Sequence, residues 1–257
     1  RERGGAGDAL GERWQLARDA RDGGGEPAIV VARGDDATAG AYAGKVLMEE
    51  HADLLLEGMA LAGYAIGAGH GVIVAPARYP RSGPTLEWAA AVARRAGLLG
   101  RAVLGSDFSF EVTVVQRPTA ALQATASVVH GVETLCNIPV LARRGAAHYA
   151  QLSPDSATAG TKFVSFNERF ARPGVYEVQF GTTLRELCDE LAGGLRDGHE
   201  LQALLIDGAI LPPSLLDTRL DYDALEAAGC PLGHGGLVAC DETTDMGTLA
   251  ELLRLRA

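Results

Sequence analysis

The stretch PAIVVARG, residues 27–34, decides the fold. It is an apolar run closed by glycine, which reads as a buried strand. The loop DDATAGAY (35–42) follows, and apolar residues then recur at helical spacing from Lys45 to about Ala68: Leu47, Leu54, Leu55, Met59, Ala62 and Ile66. GHGVIVAPA (69–77) is a second strand and RYPRSG (78–83) a turn. PTLEWAAAVARRAGLLG (84–100) is a helix with proline near its start and glycine at its end. SFEVTVVQ (109–116) is a third strand. Strand, helix, strand, helix, strand predicts an α/β layer with a largely parallel sheet.

Working outward, 117–145 reads as a loop leading into a helix around 131–143, and QLSPDSATAGT (151–161) as a linker. KFVSFN (162–167) and GVYEVQF (174–180) alternate like a hairpin, joined by a turn containing ARPG. TTLRELCDELAGG (182–194) is a helix that Thr182 would cap and Gly193 or Gly194 would stop. LQALLIDGAI (201–210) is one strand, LDYDALEAAG (220–229) a short helical turn, GGLVACDE (235–242) a final strand, and 245–257 a closing helix. Two strands, a helix and a strand make a β-grasp-like unit.

The 257 residues allow one large domain or two ordinary ones, and 47% hydrophobic with 22% charged residues is a globular balance. Only 5% are aromatic while 33 are glycine, so small residues fill much of the packing. A net charge of −10 gives no general attraction to nucleic acid or to anionic membrane. No apolar run is long enough to span a bilayer, and no signal peptide is expected. Cys136, Cys188, Cys230 and Cys240 contain no CxxC pair, which suggests a reducing compartment. Cys230, His234 and Cys240 raise a metal hypothesis, but CPLGHGG (230–236) is better read as loop chemistry, so no metal ligand is assigned.

The opening stretch RERGGAGDALGERW (1–14) is the one candidate anion loop. Glycine backbone N–H groups can approach phosphate oxygens with no Cβ in the way. The stretch matches neither GxGxxG nor a P-loop, so alone it reads equally well as a flexible end.

Several colinear motifs resolve the choice. ERGGAGDALGERW (2–14) resembles GRGGAGFPTGxKW, the first motif of the FMN- and NADH-binding flavoprotein subunits of respiratory complex I and their relatives in NAD-linked hydrogenases and formate dehydrogenases. RGDDATAGAYAGK (33–45) stands where that family has NxDExEPGTxKDR. LLLEGMALAGYAIGA (54–68), AGLLGRAVLGSDFSFEVTV (96–114) and VETLCNIP (132–139) resemble further family segments. Residues 160–194 resemble its SLBB domain, a β-grasp module, and VACDETTDM (238–246) a segment that follows.

The resemblance implies an α/β fold: a flavin-binding α/β domain over 1–150, an SLBB β-grasp domain over 160–245, and a C-terminal helix over 246–257. It implies a cofactor-binding set of Arg3, Gly4, Gly5, Gly7, Arg13, Arg33, Asp35, Asp36, His130 and Thr134. The glycines would hold phosphate, Arg13 would neutralise it, and Asp35, Asp36 and His130 would line the isoalloxazine or ribose side. No catalytic residue is assigned.

Departures from the family pattern cluster at this site. Family asparagines that help hold the flavin are Arg33, His130 and Gly131 here, and the lysine beside the tryptophan is Arg13. After Gln116 the family's CGEETAL segment and long loop, which complete the NADH pocket, have no counterpart, and neither does its terminal iron–sulfur motif. The implied cofactor is therefore FMN in a weakened site, with the NAD(H) pocket trimmed and no iron–sulfur cluster in this chain. The implied role is a subunit of an NADH dehydrogenase-like electron-transfer complex, partnered by other subunits and located in the cytoplasm, with peripheral membrane attachment left open. The alternatives are a non-catalytic docking subunit on the same fold and a pocket turned to another small ligand. Residues 117–131, which would close over the glycine loop, are expected to discriminate these readings.

Overall fold

The computed structural model describes residues 1–5, 7–24, 27–35, 38–116 and 127–255. The chain divides into two compact units, Arg1–Asp36 with Gly44–His148, and Ala37–Ala43 with Tyr149–Ala257.

The first unit holds a four-stranded sheet in the order β3-β2-β1-β4, with every pairing parallel. Its strands are β1 (Ile29–Arg33), β2 (His70–Val74), β3 (Glu111–Val115) and β4 (Ser127–Gly131). β1 is central, and Val30, Val31 and Ala32 are fully buried, as a strand covered on both faces requires. α1 (Leu10–Asp22) precedes β1. α2 (Ala43–Glu50) and α3 (Ala52–Ile66) cross to β2, and α4 (Ser82–Arg95) crosses to β3. The single helix expected over 45–68 is thus two, broken at His51, whose φ of −134° is not helical. Both halves reach the core, through Leu47 and Met48 on one side of the break and Leu55 and Met59 on the other.

α5 (Val132–Gln151) follows β4 directly, with a non-helical backbone at Gly145. It passes very close to α3: a Cβ on Gly58 would lie 2.0 Å from the Leu135 carbonyl oxygen, so only glycine fits there. β4 corrects the expectation that 117–131 is all loop. Five residues containing a histidine and a glycine carry too little apolar periodicity to be seen as a strand, and β1 supplies the pairing that makes them one. The remainder of that segment, 117–126, lies outside the described residues.

The second unit holds a mixed five-stranded sheet in the order β6-β5-β9-β7-β8. β5 (Thr161–Phe166) pairs antiparallel with β6 (Gly174–Gln179) and parallel with β9 (Gly236–Asp241). β7 (Leu201–Ile206) pairs antiparallel with β9 and with β8 (Ala209–Leu211). The one strand expected over 201–210 is therefore a hairpin. Asp207 (φ 47°) and Gly208 (φ 89°) supply the two left-handed residues of its tight turn. One face of the sheet packs on a core that includes Val164, Phe166, Phe180, Leu184, Leu204 and Leu237. On the other face Ala203, Leu205 and Cys240 meet Met246, Leu249 and Leu253 of α7 (Met246–Arg254). α6 (Tyr222–Ala227) is capped by Asp221.

The helix expected over 182–194 is wound as a π-helix over Glu186–Leu191. Thr183, not Thr182, caps it. The Thr183 amide donates to Glu186 Oε2 at 2.8 Å and the Glu186 amide to Thr183 Oγ1 at 3.2 Å, a reciprocal capping box. The chain is α/β, with a parallel layer and a second, mixed sheet of β-grasp type. Among the described residues no helix is long and apolar enough to cross a membrane.

Candidate functional site

The order β3-β2-β1-β4 reverses at β1: the chain steps outward to β2 and β3, then returns to the other side of β1 as β4. In open parallel sheets, ligands bind beyond the carboxyl ends of the strands at such a reversal. Here Arg33 ends β1 and stands in register with Gly131, which ends β4, and α5 starts at the next residue.

The glycine loop is fastened to this edge. The Glu2 amide donates to the Asp8 carbonyl at 2.8 Å and closes the loop on itself. Gly5 (φ 62°) and Gly7 (φ 73°) turn the chain through left-handed backbone that a side chain would strain. Gly4 is half-buried, Gly5 exposed and Gly7 buried. The Arg3 amide donates to Thr134 Oγ1 at 2.8 Å, which ties the loop to the first turn of α5. The Arg3 residue is itself buried.

A residue absent from the expected set occupies the middle of the constellation. The carboxylate of Glu2, 8% exposed, accepts from the Gly131 amide at 3.0 Å and the Thr134 hydroxyl at 3.0 Å through Oε1. Its Oε2 lies 2.7 Å from Nδ1 of His130, a residue 1% exposed. Arg13 stands 3.7 Å from Oε2 and also donates to the Val129 carbonyl at 3.3 Å. A helix N-terminus favours a negative charge, so the carboxylate sits where the backbone field suits it. Burial alone pushes the Glu2 carboxyl up, but the hydrogen bonds from His130, Gly131 and Thr134 outweigh it and hold the group below its ordinary value.

The hydrogen bonds also fix the histidine. Trp14 Nε1 donates to His130 Nε2 at 2.8 Å. An indole N–H can only donate, so Nε2 accepts and the ring proton lies on Nδ1, facing Glu2. Both His130 nitrogens are thus given to protein partners rather than to a flavin carbonyl.

The structure therefore gathers Arg3, Gly4, Gly5, Gly7, Arg13, His130 and Thr134 at one place. Arg33 lies on the same sheet edge, 3.4 Å from Asp35. Asp36 lies outside the described residues. Glu2, at the centre of these contacts, and Trp14, which holds His130, stand outside the expected set. The available signal was Glu2 standing where the family motif begins with glycine.

The cysteines form no such constellation. Cys230 sits 3.8 Å from the Ile206 and Ala209 carbonyls in the main core of the second unit, while Cys240 packs beneath α7 on the other face of the sheet. Among the described residues no three His, Cys, Asp or Glu side chains are grouped as metal ligands.

Residues 1–140 match the family described as the Nuo51 FMN-binding domain. The chain is 31% identical to the NADH-quinone oxidoreductase F 2 subunit of Rhizobium meliloti, over 97% of this chain and 66% of that protein. It is also 31% identical to the corresponding F subunit of Escherichia coli, over 98% and 63%. With the HndC subunit of the NADP-reducing hydrogenase of Solidesulfovibrio fructosivorans it shares 28% identity, over 98% and 57%. The crystal structure of an NAD+-reducing NiFe hydrogenase in its H2-reduced state superposes with a TM-score of 0.78 at 22% identity, covering 97% of this chain and 46% of that one. The chain thus spans somewhat less than two thirds of the length of the curated relatives it matches.

Proposed function

The chain belongs to the Nuo51 FMN-binding domain family, and on that premise we propose that it is a subunit of an NADH dehydrogenase-like electron-transfer complex whose flavin site is weakened. The observation that carries this reading is the glycine loop tied through Arg3 and Thr134 to the start of α5, at the reversal point of a parallel sheet. A bound flavin would supply hydride acceptance and one-electron release there. The fit to its phosphate is poor. The Gly131 and Thr134 donors are held by Glu2, Arg13 is turned toward the same carboxylate, and Arg33 lies beside Asp35. No reaction step is therefore assigned to this chain.

The four cysteines of these residues are buried thiols, so none of them is presented as a ligand for an electron-transfer cluster. The lack of a counterpart to the family's CGEETAL segment and long loop after Gln116 supports a trimmed NAD(H) pocket. The proposed location is cytoplasmic, within a larger assembly. The domain reading is retained as a flavin-type domain over 1–150, an SLBB domain over 160–245 and a terminal helix, with Ala37–Ala43 clustering with the second unit.

The test is the visible spectrum of the purified chain after incubation with FMN and gel filtration. A retained flavin band that NADH bleaches would show an intact flavin and nicotinamide site and overturn the weakened-site reading. A faint band, or one that NADH leaves unbleached, supports it. A colourless protein supports the second reading, a non-catalytic docking subunit, which the Glu2 contacts favour.

A further inference from the structure

We propose that Glu2 is a specificity-determining residue: its carboxylate serves as a built-in anion in the cradle formed by Gly131 N–H, Thr134 Oγ1, His130 Nδ1–H and Arg13, and it excludes phosphate-bearing ligands from that cradle. This rests on the flavin-type reading of the loop and names what weakens it.

Four groups of positive or donor character converge on one side chain. Gly131 and Thr134 are the donors that the start of α5 offers an anion, and both go to Glu2 Oε1 at 3.0 Å. His130 lies 2.7 Å from the other oxygen and Arg13 3.7 Å from it. Thr134 is doubly committed, because its oxygen also accepts the Arg3 amide. The ring of His130 is held in place from behind by Trp14. A phosphate entering this cradle would have to displace a buried, four-partnered carboxylate or lie beside it as a like charge. Either route is unfavourable where the dielectric is low.

Among the described residues a Cβ at Gly5 would meet nothing within 4 Å, and what Glu2 occupies is the donor set at the start of α5. A flavin lacking phosphate meets no carboxylate conflict, which makes the discrimination one of charge.

The experiment compares FMN with riboflavin, the same ring without the phosphate, by flavin fluorescence quenching on the full chain and its Glu2→Gly and Glu2→Gln variants. Inorganic phosphate is tested in parallel by its effect on Tm. The wild type should bind FMN no more tightly than riboflavin and gain no stability from phosphate. Glu2→Gly should bind FMN at least about tenfold more tightly than the wild type, with riboflavin unchanged, because charge-assisted donors are released. Glu2→Gln keeps the size and removes the charge, so it should move in the same direction by a smaller factor even if the glycine variant folds poorly. A tenfold wild-type preference for FMN would overturn the proposal while leaving the flavin reading intact. Variants that gain phosphate but no flavin would support the proposal and remove the flavin reading. Variants that gain neither would overturn the proposal.

Discussion

Trp14 Nε1 and His130 Nε2 are 2.8 Å apart, and this bond sets which nitrogen of the histidine faces Glu2. Trp14→Phe keeps most of the ring volume and removes the donor. It leaves an acceptor on a residue 1% exposed without its partner, which costs about 1–3 kcal/mol. Nitrogen NMR of the imidazole should show a single Nδ1–H tautomer in the wild type and a mixture in the variant. An unchanged tautomer in Trp14→Phe would mean that Glu2 alone orients the ring.

Glu2 makes the stability of the first unit sensitive to acid. Its carboxyl is held below the ordinary value, so the folded state binds the proton less readily than the unfolded chain does. The contribution is fully present above the unfolded value near 4.5 and is lost as the pH falls through the depressed folded value. Urea midpoints measured between about pH 6 and pH 3 should fall more steeply for the wild type than for Glu2→Gln. Parallel curves would show that the carboxylate adds nothing to stability.

Two glycine-to-alanine changes should have opposite signs. At Gly58 the new methyl would meet the Leu135 backbone oxygen at 2.0 Å, so α3 and α5 must move apart at a cost of about 1–3 kcal/mol. At Gly11 in α1 a Cβ meets nothing within 4 Å among the described residues, and alanine's helix preference should add about 0.5–1 kcal/mol. Equilibrium unfolding of the two variants checks both signs. Similar midpoints would mean that the α3–α5 approach is more compliant than the geometry indicates.

The same contrast explains how much was legible beforehand. PAIVVARG, GHGVIVAPA and SFEVTVVQ announce β1, β2 and β3 because each is a run of apolar residues bounded by glycine or a turn. SVVHG is invisible by that rule, since β4 is held by pairing with β1 and by His130 contacts that only the folded chain supplies. The Asp207–Gly208 turn is passed over, because the apolar residues on either side of it read as one strand until β8 pairs back on β7. At the site, the glycines and Thr134 came from motif resemblance. Glu2 did not, because a lone glutamate near the start of a glycine-rich loop reads as a solvated charge until Gly131, Thr134 and His130 are brought around it. Periodicity reports which face is buried; it cannot report that a polar side chain is buried among partners over 120 residues away.

The thiols should be inert in the native state. All four cysteines are buried. Burial pushes Cys188 up to about 12, helped by Asp189, and Cys230 up to about 11. Cys136 is driven well above the ordinary thiol range by burial, with Glu133 and Asp53 adding to it. The thiolate is the reactive and metal-binding form, so none of these groups is prepared for either role. An aromatic disulfide reagent at pH 8 should label almost nothing in native buffer and four thiols in guanidinium. Rapid native labelling would reveal an opening of one of the cores.

His199 and Glu242 form a surface pair with the opposite pH sense from Glu2. His199 Nδ1 lies 2.7 Å from Glu242 Oε1, and the other carboxylate oxygen accepts the Glu200 amide at 3.0 Å. The hydrogen bond and then the charge of Glu242 raise the histidine above its ordinary value. Any stability from the pair is therefore present below the unfolded histidine value near 6.5 and is lost as the pH rises through the raised folded value. Both groups are exposed and screened, so the effect on global unfolding should be small. The clear readout is local: proton NMR of the His199 ring should titrate at a higher pH in the wild type than in Glu242→Gln. High salt should draw the two midpoints together by weakening the Coulombic part. Equal midpoints at low salt would show that the pair does not persist in solution, and the link between β9 and the chain entering β7 would then rest on backbone pairing and on the packing of Ala203 and Leu205 against Cys240.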